Sequence, residues 1–263
     1  MEKQALNDYR AVYSRDWRKY LSQEIHPAES VYLEARRHQW AQTRLLDLGV
    51  GTGRTTWTFA PLVDSYVAVD VVPEMVDHCL ATFPRHPRQQ FLVGDAQDLS
   101  RFGTASFDAV LFSYNGIDHL TPPSRARALR EIWRVLKPGG SFFFSSHSLT
   151  VFPHTPGNPG VRGRNPLRWL QQIAAHRKLV ARYQRLNAQV ASPQVQAEGW
   201  AILSDGSHDG DMEIYYCYPH TQLKQLKEAG FEVDQVLTNQ GKPILDPQSP
   251  IPSWWNYYLC TKP

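Results

Sequence analysis

Five short apolar runs recur in the first part of the chain and alternate with segments of helical periodicity. Runs in which apolar residues do not alternate with polar ones predict strands buried on both faces, as in a parallel sheet. The runs occupy residues 45–48, 66–70, 91–96, 107–113 and 141–147. Before the last run, residues 124–136 place apolar side chains on one side of a predicted helix and arginines elsewhere. This alternation predicts an α/β fold with a doubly wound, mostly parallel sheet.

Residues 1–40 are predicted to be helical and are rich in aromatic side chains. The aromatic residues recur at spacings of four, four and three, which places them on one helical face. They are Tyr9, Tyr13, Trp17 and Tyr20. This face either packs on the core or closes a ligand pocket as a lid, in which case Tyr13 and Trp17 would contact a substrate. Pro27 ends the run, and residues 28–40 are predicted to form a second helix.

The C-terminal part of the chain returns to a pattern of strands and helices. The predicted elements are a strand at 213–218, a helix at 220–229 ended by Gly230, and strands at 231–237 and 254–260. Residues 151–209 interrupt the pattern, with a run rich in Pro and Gly and then a predicted helix over 167–190. We therefore expect an N-terminal lid at 1–40, a core made of 41–150 and 210–263, and a cap insertion on the substrate side at 151–209.

A glycine-rich turn follows the first predicted strand directly. Gly49, Gly51 and Gly53 tolerate positive φ and let a ligand approach the backbone. The helix that follows would direct its free N–H groups into the turn, as in nucleotide-binding crossovers. The sixth position of the dinucleotide fingerprint requires Gly or Ala, whereas this chain has Arg54. Asp47 adds a carboxylate at the end of the strand, which suits a cationic ligand better than a pyrophosphate.

Four motifs, in this order, resemble those of the class I S-adenosylmethionine-dependent methyltransferases. The glycine turn matches D-x-G-x-G-x-G at residues 47–53, and G-D-A stands at 94–96. F-D-x-V opens the fourth predicted strand at 107–110, and L-K-P-G-G precedes the fifth at 136–140. The resemblance implies a methyltransferase that uses S-adenosylmethionine and releases S-adenosylhomocysteine.

The same resemblance implies the arrangement of the sheet. It covers residues 43–147 closely and 213–262 less closely, and it leaves the N-terminal helices and the insertion without a counterpart. The implied sheet has seven strands, of which the last is antiparallel and lies beside the fifth. The strands predicted at 213–218 and 231–237 would complete this antiparallel edge.

The resemblance also implies cofactor contacts at the ends of the strands. Asp70 lies about 20 residues beyond the glycines, where a carboxylate would accept hydrogen bonds from two ribose hydroxyls. Asp95 would accept a hydrogen bond from the adenine amino group, with the backbone of Ala96 beside it, or would cap a helix. Met75 would pack on the adenine or fill the core. The full expected set is Asp47, Gly49, Gly51, Gly53, Asp70, Met75, Asp95, Ala96 and Ser113.

Candidate catalytic residues follow the fourth and fifth strands. His119 and His147 would lie at the ligand edge of the sheet, where either could act as a general base or be a hydrogen-bonded structural residue. Of the two, we favour His119. Tyr114 and Asn115 are expected to orient the methyl acceptor rather than to accept its proton. A nitrogen acceptor needs little beyond alignment, whereas a hydroxyl acceptor needs a base.

A basic segment lies in the insertion, where no Asp or Glu occurs between Ile132 and Ala197. Its seven cationic residues are Arg162, Arg164, Arg168, Arg177, Lys178, Arg182 and Arg185. Acidic residues follow it, so the two stretches could neutralise each other. Alternatively, Arg168 and Arg177 could bind an anionic substrate, or the segment could contact nucleic acid. The formal net charge of +3 gives nucleic-acid binding little support.

Composition narrows the class of protein. The hydrophobic content of 42% and charged content of 20% are those of an ordinary globular chain. Cys79, Cys217 and Cys260 form no disulfide or metal-ligand spacing, so we expect a reducing compartment and no metal. The charged and aromatic N-terminus differs from a signal peptide, and no apolar run has the length of a membrane span. We expect a cytoplasmic protein without a membrane partner.

Together these features predict methyl transfer to a nitrogen or oxygen of a small metabolite. A nucleic-acid or protein methyltransferase is the alternative enzyme, although S-Y-N-G follows the fourth strand where amino-methylating nucleic-acid enzymes have N/D-P-P-Y/W. A catalytically silent S-adenosylmethionine-binding protein is the alternative outside enzymes. The identity of the acceptor and the oligomeric state stay open.

Overall fold

A seven-stranded sheet forms the centre of the computed structural model, which describes residues 2–152, 166–203, 213–249 and 251–263. The strands lie in the order β3-β2-β1-β4-β5-β9-β8. Neighbours from β3 to β5 are parallel, whereas β9 is antiparallel to both β5 and β8. The predicted fold class is therefore confirmed, including the antiparallel last strand beside the fifth.

The strands have these bounds: β1 Arg44–Leu48, β2 Ser65–Asp70, β3 Gln89–Val93, β4 Phe107–Phe112, β5 Leu136–His147, β6 Trp200–Leu203, β7 Ile214–Cys217, β8 Glu232–Thr238 and β9 Trp255–Thr261. The helices are α1 Glu2–Asp16, α2 Pro27–Ala35, α3 Thr56–Phe59, α4 Pro73–Thr82, α5 Pro122–Val135, α6 Pro166–Val190, α7 Pro193–Glu198 and α8 Pro219–Glu228. Short 3-10 turns lie at Trp17–Tyr20, Trp40–Gln42, Gly116–His119 and Leu149–Val151.

Alternate residues of the central strands point to opposite faces of the sheet and build two cores. Leu46 and Val110 lie in the core on one face, and Leu45 and Leu111 lie in the core on the other. Burial of both faces explains why these strands appear in the sequence as continuous apolar runs. A third cluster joins α1 to the small β6–β7 sheet through Val12 and its neighbours. The N-terminal helix is thereby held over one end of the sheet.

The predicted strand at 213–218 is present, but its expected place in the main sheet is wrong. It forms β7, which pairs antiparallel with β6 in a separate two-stranded sheet. All four residues of β7 are buried, and an apolar run carries no information about which sheet will bury it. The edge next to β9 is occupied by β8 instead.

The L-K-P-G-G segment after α5 was expected to precede the fifth strand but forms its first part. The helix ends at Val135, and residues 136–140 already belong to β5, with Leu136 opposite Phe107 of β4. Gly139 has a φ of +72°, so the segment enters the sheet through an irregular extension.

Two further expectations fall partly outside the described residues. Of the insertion, α6, α7 and β6 are described, whereas the Pro- and Gly-rich stretch from 153 to 165 is not. The division into lid, core and cap stays a prediction.

No helix in the described ranges is long and apolar enough to cross a membrane. All three cysteines are free and buried.

The close packing at Gly53 generates the first test. A Cβ at Gly53 would lie 2.3 Å from Phe83 Cε2, whereas a Cβ at Gly139 would meet nothing within 4 Å. Both glycines have positive φ, so Gly139→Ala should cost about 1–2 kcal/mol of unfolding free energy from backbone strain. Gly53→Ala should cost about 1–3 kcal/mol more because it overpacks the site. Urea unfolding measures both variants, and equal losses would contradict the packing described here.

Candidate functional site

A cavity of about 240 Å³ lies at the carboxyl ends of the central strands. The glycine turn after β1, Asp70 at the end of β2, and Ser113 and Tyr114 after β4 contribute to its lining. Strands β2 and β4 flank β1 on opposite sides, so the chain order reverses at this point. Such a switch point is where doubly wound sheets bind ligands.

The glycine turn brings bare backbone to the wall of the cavity. Gly49 and Gly51 have φ values of +63° and +57°, in the left-handed region that favours glycine. A Cβ on Gly49 would lie 3.0 Å from Phe112 Cε2. Gly49 and Gly51 line the cavity, whereas Gly53 packs against Phe83 and Cys79 behind it.

Asp70 is buried at the cavity wall and braces the turn. Its Oδ2 accepts a hydrogen bond from Gly51 N at 2.8 Å, and its Oδ1 accepts one from Val72 N at 2.9 Å. Burial raises the pKa of Asp70 above its usual value, and these backbone donors oppose the shift. A carboxylate has about four acceptor positions, so two donors leave room for two more.

Asp47 is a second buried carboxylate on the same wall. Its Oδ2 accepts hydrogen bonds from Tyr66 Oη at 2.6 Å and from Thr55 Oγ1 at 2.5 Å. Burial raises the pKa of Asp47 to about 6 despite these bonds and the charge of Arg54. Ionisation of Asp47 therefore costs free energy unless a positive charge or further hydrogen-bond donors lie next to the carboxylate.

A smaller recess of about 40 Å³ lies next to the cavity and shares Gly49, Asp70 and Tyr9 with it. Asp95 and Ala96, the residues expected to contact an adenine, line this recess. Asp95 Oδ2 accepts a hydrogen bond from Arg10 Nη2 at 3.0 Å, so α1 reaches across its opening. Met75 and Ser113 line the larger cavity.

Helix α1 forms one wall of the cavity through its aromatic face. Tyr9 stacks on the imidazole of His119 at 4.8 Å, and Tyr13 Oη lies 2.9 Å from His119 Nε2. All three side chains line the cavity. Trp17 instead turns towards His78, with ring centroids 4.9 Å apart. Of the two residues expected to contact a substrate from this helix, only Tyr13 reaches the cavity among the described residues.

A buried ion pair that the sequence analysis missed joins α2 to the glycine turn. The guanidinium of Arg54 donates to both carboxylate oxygens of Glu29, at 2.5 and 2.6 Å. The hydroxyl of Ser113 and the backbone N–H of His26 also donate to Glu29. Burial alone would raise the pKa of Glu29, but the hydrogen bonds and charge of Arg54 outweigh it and hold the pKa below its usual value.

The sequence contains a local signal for Glu29 but none for its contact with Arg54. Pro27 at the first position of α2 and Glu29 at the third are typical of a helix start. Nothing in the spacing of Glu29 and Arg54 predicted their contact.

A second buried network lies behind the loop after β4. Asp118 Oδ2 lies 2.8 Å from His147 Nδ1, and Asp118 Oδ1 accepts from Arg125 at 2.6 Å. Burial would raise the pKa of Asp118, but the hydrogen bond from His147 and the charge of Arg125 hold it below its usual value. Asn115 Nδ2 lies 3.3 Å from His147 Nε2. Neither Asn115 nor His147 is among the described residues that line the cavity.

The expected catalytic residues are thus divided between two places. His119 and Tyr114 line the cavity, and Asn115 and His147 belong to the network behind it. Arg168 and Arg177 are exposed on α6 and are not among the described residues of the cavity wall. Their expected contact with an anionic substrate stays a prediction, as do the roles of the other candidates.

Comparison with known proteins finds a match to methyltransferases over part of the chain. Residues 45–140 match the family model described as a methyltransferase domain. An uncharacterised methyltransferase of Mycobacterium tuberculosis is 40% identical over 100 residues, 38% of this chain and 38% of that protein. A ubiquinone biosynthesis O-methyltransferase of Xanthomonas oryzae is 32% identical over 127 residues, 48% of this chain and 52% of that protein. The chain therefore spans about half, or less, of the length of the curated relatives it matches.

Solved structures extend the likeness to almost the whole chain. The 1,6-didemethyltoxoflavin-N1-methyltransferase of Burkholderia thailandensis, solved with 1,6-didemethyltoxoflavin and S-adenosylhomocysteine, gives a TM-score of 0.63 at 14% identity. That match covers 100% of this chain and 90% of the other. A methyltransferase from Mesorhizobium loti gives 0.59 at 18% identity and covers 89% and 97%. At such identities the likeness shows the fold, and the fold implied by the motifs is confirmed.

The Glu29–Arg54 pair generates the second test. Glu29→Gln should cost about 3–5 kcal/mol of unfolding free energy because it leaves the buried charge of Arg54 uncompensated. The double variant Glu29→Gln/Arg54→Met should cost less than this, since both charges are removed. The exposed Glu34–Arg37 pair is the control, and Glu34→Gln should cost about 1 kcal/mol or less. A Glu29→Gln loss as small as that of the control would contradict the role given to the pair.

Proposed function

We propose that this chain, a class I S-adenosylmethionine-dependent methyltransferase by its fold and its domain at residues 45–140, transfers a methyl group to a nitrogen or oxygen of a small metabolite. One observation carries the proposal. The cavity wall holds two buried carboxylates, Asp47 and Asp70, whereas the cation on the adjoining turn, Arg54, is neutralised by Glu29.

This distribution of charge favours a cationic nucleoside over a diphosphate. S-adenosylmethionine brings a sulfonium and an amino group, which Asp47 and the surrounding acceptors would attract. A diphosphate would require positive charge at the turn, and the guanidinium of Arg54 is already bound bidentately by Glu29. Electrostatics at the turn thus support the same cofactor as the motifs.

The residues present fit S-adenosylmethionine along its length. Gly49 and Gly51 let the ligand approach the backbone, and Asp70 retains acceptor capacity for two ribose hydroxyls. Asp95 and Ala96 lie in the recess on the far side of Asp70, where an adenine would be held. Tyr9 lines that recess and Arg10 contacts Asp95 there, which supports a role for α1 as the lid of the cofactor site.

The chemistry of the cofactor determines what the protein has to supply. S-adenosylmethionine supplies an activated methyl group, so the protein supplies binding, orientation and a dry site. Tyr9, Tyr13, His119, Ser113 and Tyr114 line the cavity around the expected position of the methyl group. A small acceptor fits a recessed cavity of about 240 Å³ better than a nucleic acid or a protein does. A ubiquinone biosynthesis O-methyltransferase and a 1,6-didemethyltoxoflavin-N1-methyltransferase lie among the similar proteins.

Methyl transfer itself is tested with a metabolite extract. The protein is incubated with isotopically labelled S-adenosylmethionine and the extract, and mass spectrometry follows S-adenosylhomocysteine release and the label. The expected result is a labelled small molecule. Labelled protein or nucleic acid would indicate the alternative enzyme class, and binding of the cofactor without transfer would indicate a silent binding protein.

The third test concerns Asp70. Asp70→Ala should weaken S-adenosylhomocysteine binding at least about tenfold, since a ribose hydroxyl bond to a charged group contributes about 1.5–3 kcal/mol. Isothermal titration measures the affinity, and Asp64→Ala, at an exposed aspartate, is the control. Unchanged affinity in a folded Asp70→Ala variant would remove the ribose assignment.

The fourth test uses the raised pKa of Asp47, about 6. The cation binds the ionised carboxylate, so S-adenosylmethionine affinity should be highest above this pKa. It should fall by up to about tenfold per pH unit as the pH drops below it. Asp47→Asn should bind more weakly, without this dependence. The change should occur between about pH 7 and pH 5. A wild-type affinity that stays constant over this range would contradict the contact between Asp47 and the cationic part of the ligand.

A further inference from the structure

The charges along the cavity wall do not cancel. Asp47 and Asp70 are buried carboxylates of the lining. The cations of the described lining are Arg54 and Lys19, and each is already paired with a carboxylate, at 2.5 and 2.8 Å. A ligand in the cavity therefore meets an excess of negative charge.

The proposed cofactor balances this charge only before the methyl group is transferred. In S-adenosylmethionine the amino group and the carboxylate offset each other, so the sulfonium is the net charge. Ribose hydroxyls are neutral, so Asp70 keeps its charge when it accepts their hydrogen bonds. S-adenosylhomocysteine has no sulfonium, and Asp47 and Asp70 then face a ligand without net charge. A transfer that keeps the positive charge inside the cavity preserves the balance.

The histidines of the described lining already have hydrogen-bond partners. The ring of His26 accepts the N–H of Glu29 at the start of α2, and its Nδ1 lies 2.7 Å from Tyr257 Oη. His119 Nε2 lies 2.9 Å from Tyr13 Oη. A methyl acceptor that has no proton to lose fits this wall without disturbing either set of contacts.

Tyrosine rings form much of the remaining wall, at Tyr9, Tyr13, Tyr20 and Tyr114. Burial raises the pKa of Tyr9 and of Tyr13, so these phenols stay neutral. Tyr114 is about half exposed, and the guanidinium of Arg54 lies 5.5 Å from the centre of its ring. The face of an aromatic ring attracts cations, and the Tyr114 ring already has one beside it.

We propose that the methyl acceptor is an uncharged heteroaromatic nitrogen, which becomes a ring cation beside Tyr114 in the field of Asp47 and Asp70. This deepens the proposed function and rests on it. The lone pair of the nitrogen forms the bond to the methyl carbon, and the carbon–sulfur bond breaks with its electron pair on sulfur. The positive charge passes from sulfur to nitrogen, and no proton is released. His119 is then part of the wall and not a base.

Other acceptors fit the wall less well. A hydroxyl has to lose a proton during the transfer, and an oxyanion would add negative charge beside Asp47 and Asp70. An aliphatic amine is protonated at neutral pH, so its lone pair becomes available only after a proton has left. A heteroaromatic nitrogen such as that of pyridine is unprotonated at neutral pH and presents its lone pair directly.

The experiment uses N-methylpyridinium, a ring cation, and benzoate, a ring anion, as probes on the protein loaded with S-adenosylhomocysteine. Titrations followed by ligand NMR give the affinities. N-methylpyridinium should bind at least about tenfold more tightly than benzoate. When S-adenosylmethionine is bound instead, the affinity for N-methylpyridinium should fall at least about fivefold, because the sulfonium then occupies the neighbouring position.

A variant of Tyr114 tests the contact with the ring. Tyr114→Leu should weaken N-methylpyridinium binding about two- to fivefold more than it weakens binding of toluene, a neutral ring of the same shape. Trp57→Leu is the control, since the Trp57 side chain is exposed and outside the described lining of the cavity. It should leave both affinities unchanged.

Four outcomes would overturn the inference: no binding of N-methylpyridinium, equally tight binding of benzoate, equal affinity for N-methylpyridinium in the two cofactor complexes, or equal losses for N-methylpyridinium and toluene in Tyr114→Leu. The loading step separates the two levels of the account. Failure of wild type to bind S-adenosylhomocysteine contradicts the proposed function, whereas normal loading without these probe effects contradicts this inference alone. Unchanged S-adenosylhomocysteine affinity in each variant shows that the variant is folded.

Discussion

The buried ion pair between Glu29 and Arg54 determines the charge of the cavity. Arg54 occupies the position after the last glycine of the turn, where its charge could have served a phosphate. Glu29 binds that charge with both oxygens, and Lys19, another cation of the cavity lining, pairs with Asp16 at 2.8 Å. Asp47 and Asp70 are buried carboxylates of the same lining, and they make the wall favourable for a cation. This distribution of charge favours a cationic ligand.

The same ion pair explains why the N-terminal segment is part of the site. Glu29 connects α2 to the glycine turn and, through Ser113, to the end of β4. With α2 fixed there, His26 stands at the cavity mouth, and the preceding α1 lies across the recess with Tyr9 and Arg10. A minimal doubly wound sheet would leave the cavity open on this side. In the proposed function, the N-terminal helices cover this side of the cavity and help to exclude water from the methyl group.

Much of the fold was predictable because the central strands are buried on both faces. Their apolar runs, the glycine turn and the acid at the end of β2 are local features, and the structure places them together. Assignment of residues 213–218 to the main sheet failed because an apolar run does not specify its partner strand. The partner strand of β7 is β6, which lies in the insertion and has no counterpart in the motifs.

The site was predictable where it depends on strand ends and not where it depends on contacts between distant residues. Asp47, Asp70 and Ser113 follow from their strands, whereas the Glu29–Arg54 pair joins a helix start to a turn with no shared pattern. His26 escaped notice for the same reason: its partner Tyr257 lies on the last strand. Arg168 and Arg177 are exposed on α6, and their role stays a prediction, since a run of like charge gives no direction towards a cavity.

The central claim, that the carboxylate-rich turn selects a cationic sulfur nucleoside rather than a diphosphate, is tested most directly by one pair of titrations. Calorimetry of the full chain with S-adenosylmethionine and with NADH compares the two ligand classes on the same protein. The account predicts saturable one-to-one binding of S-adenosylmethionine and no binding of NADH. Binding of NADH, or no binding of S-adenosylmethionine, would contradict it.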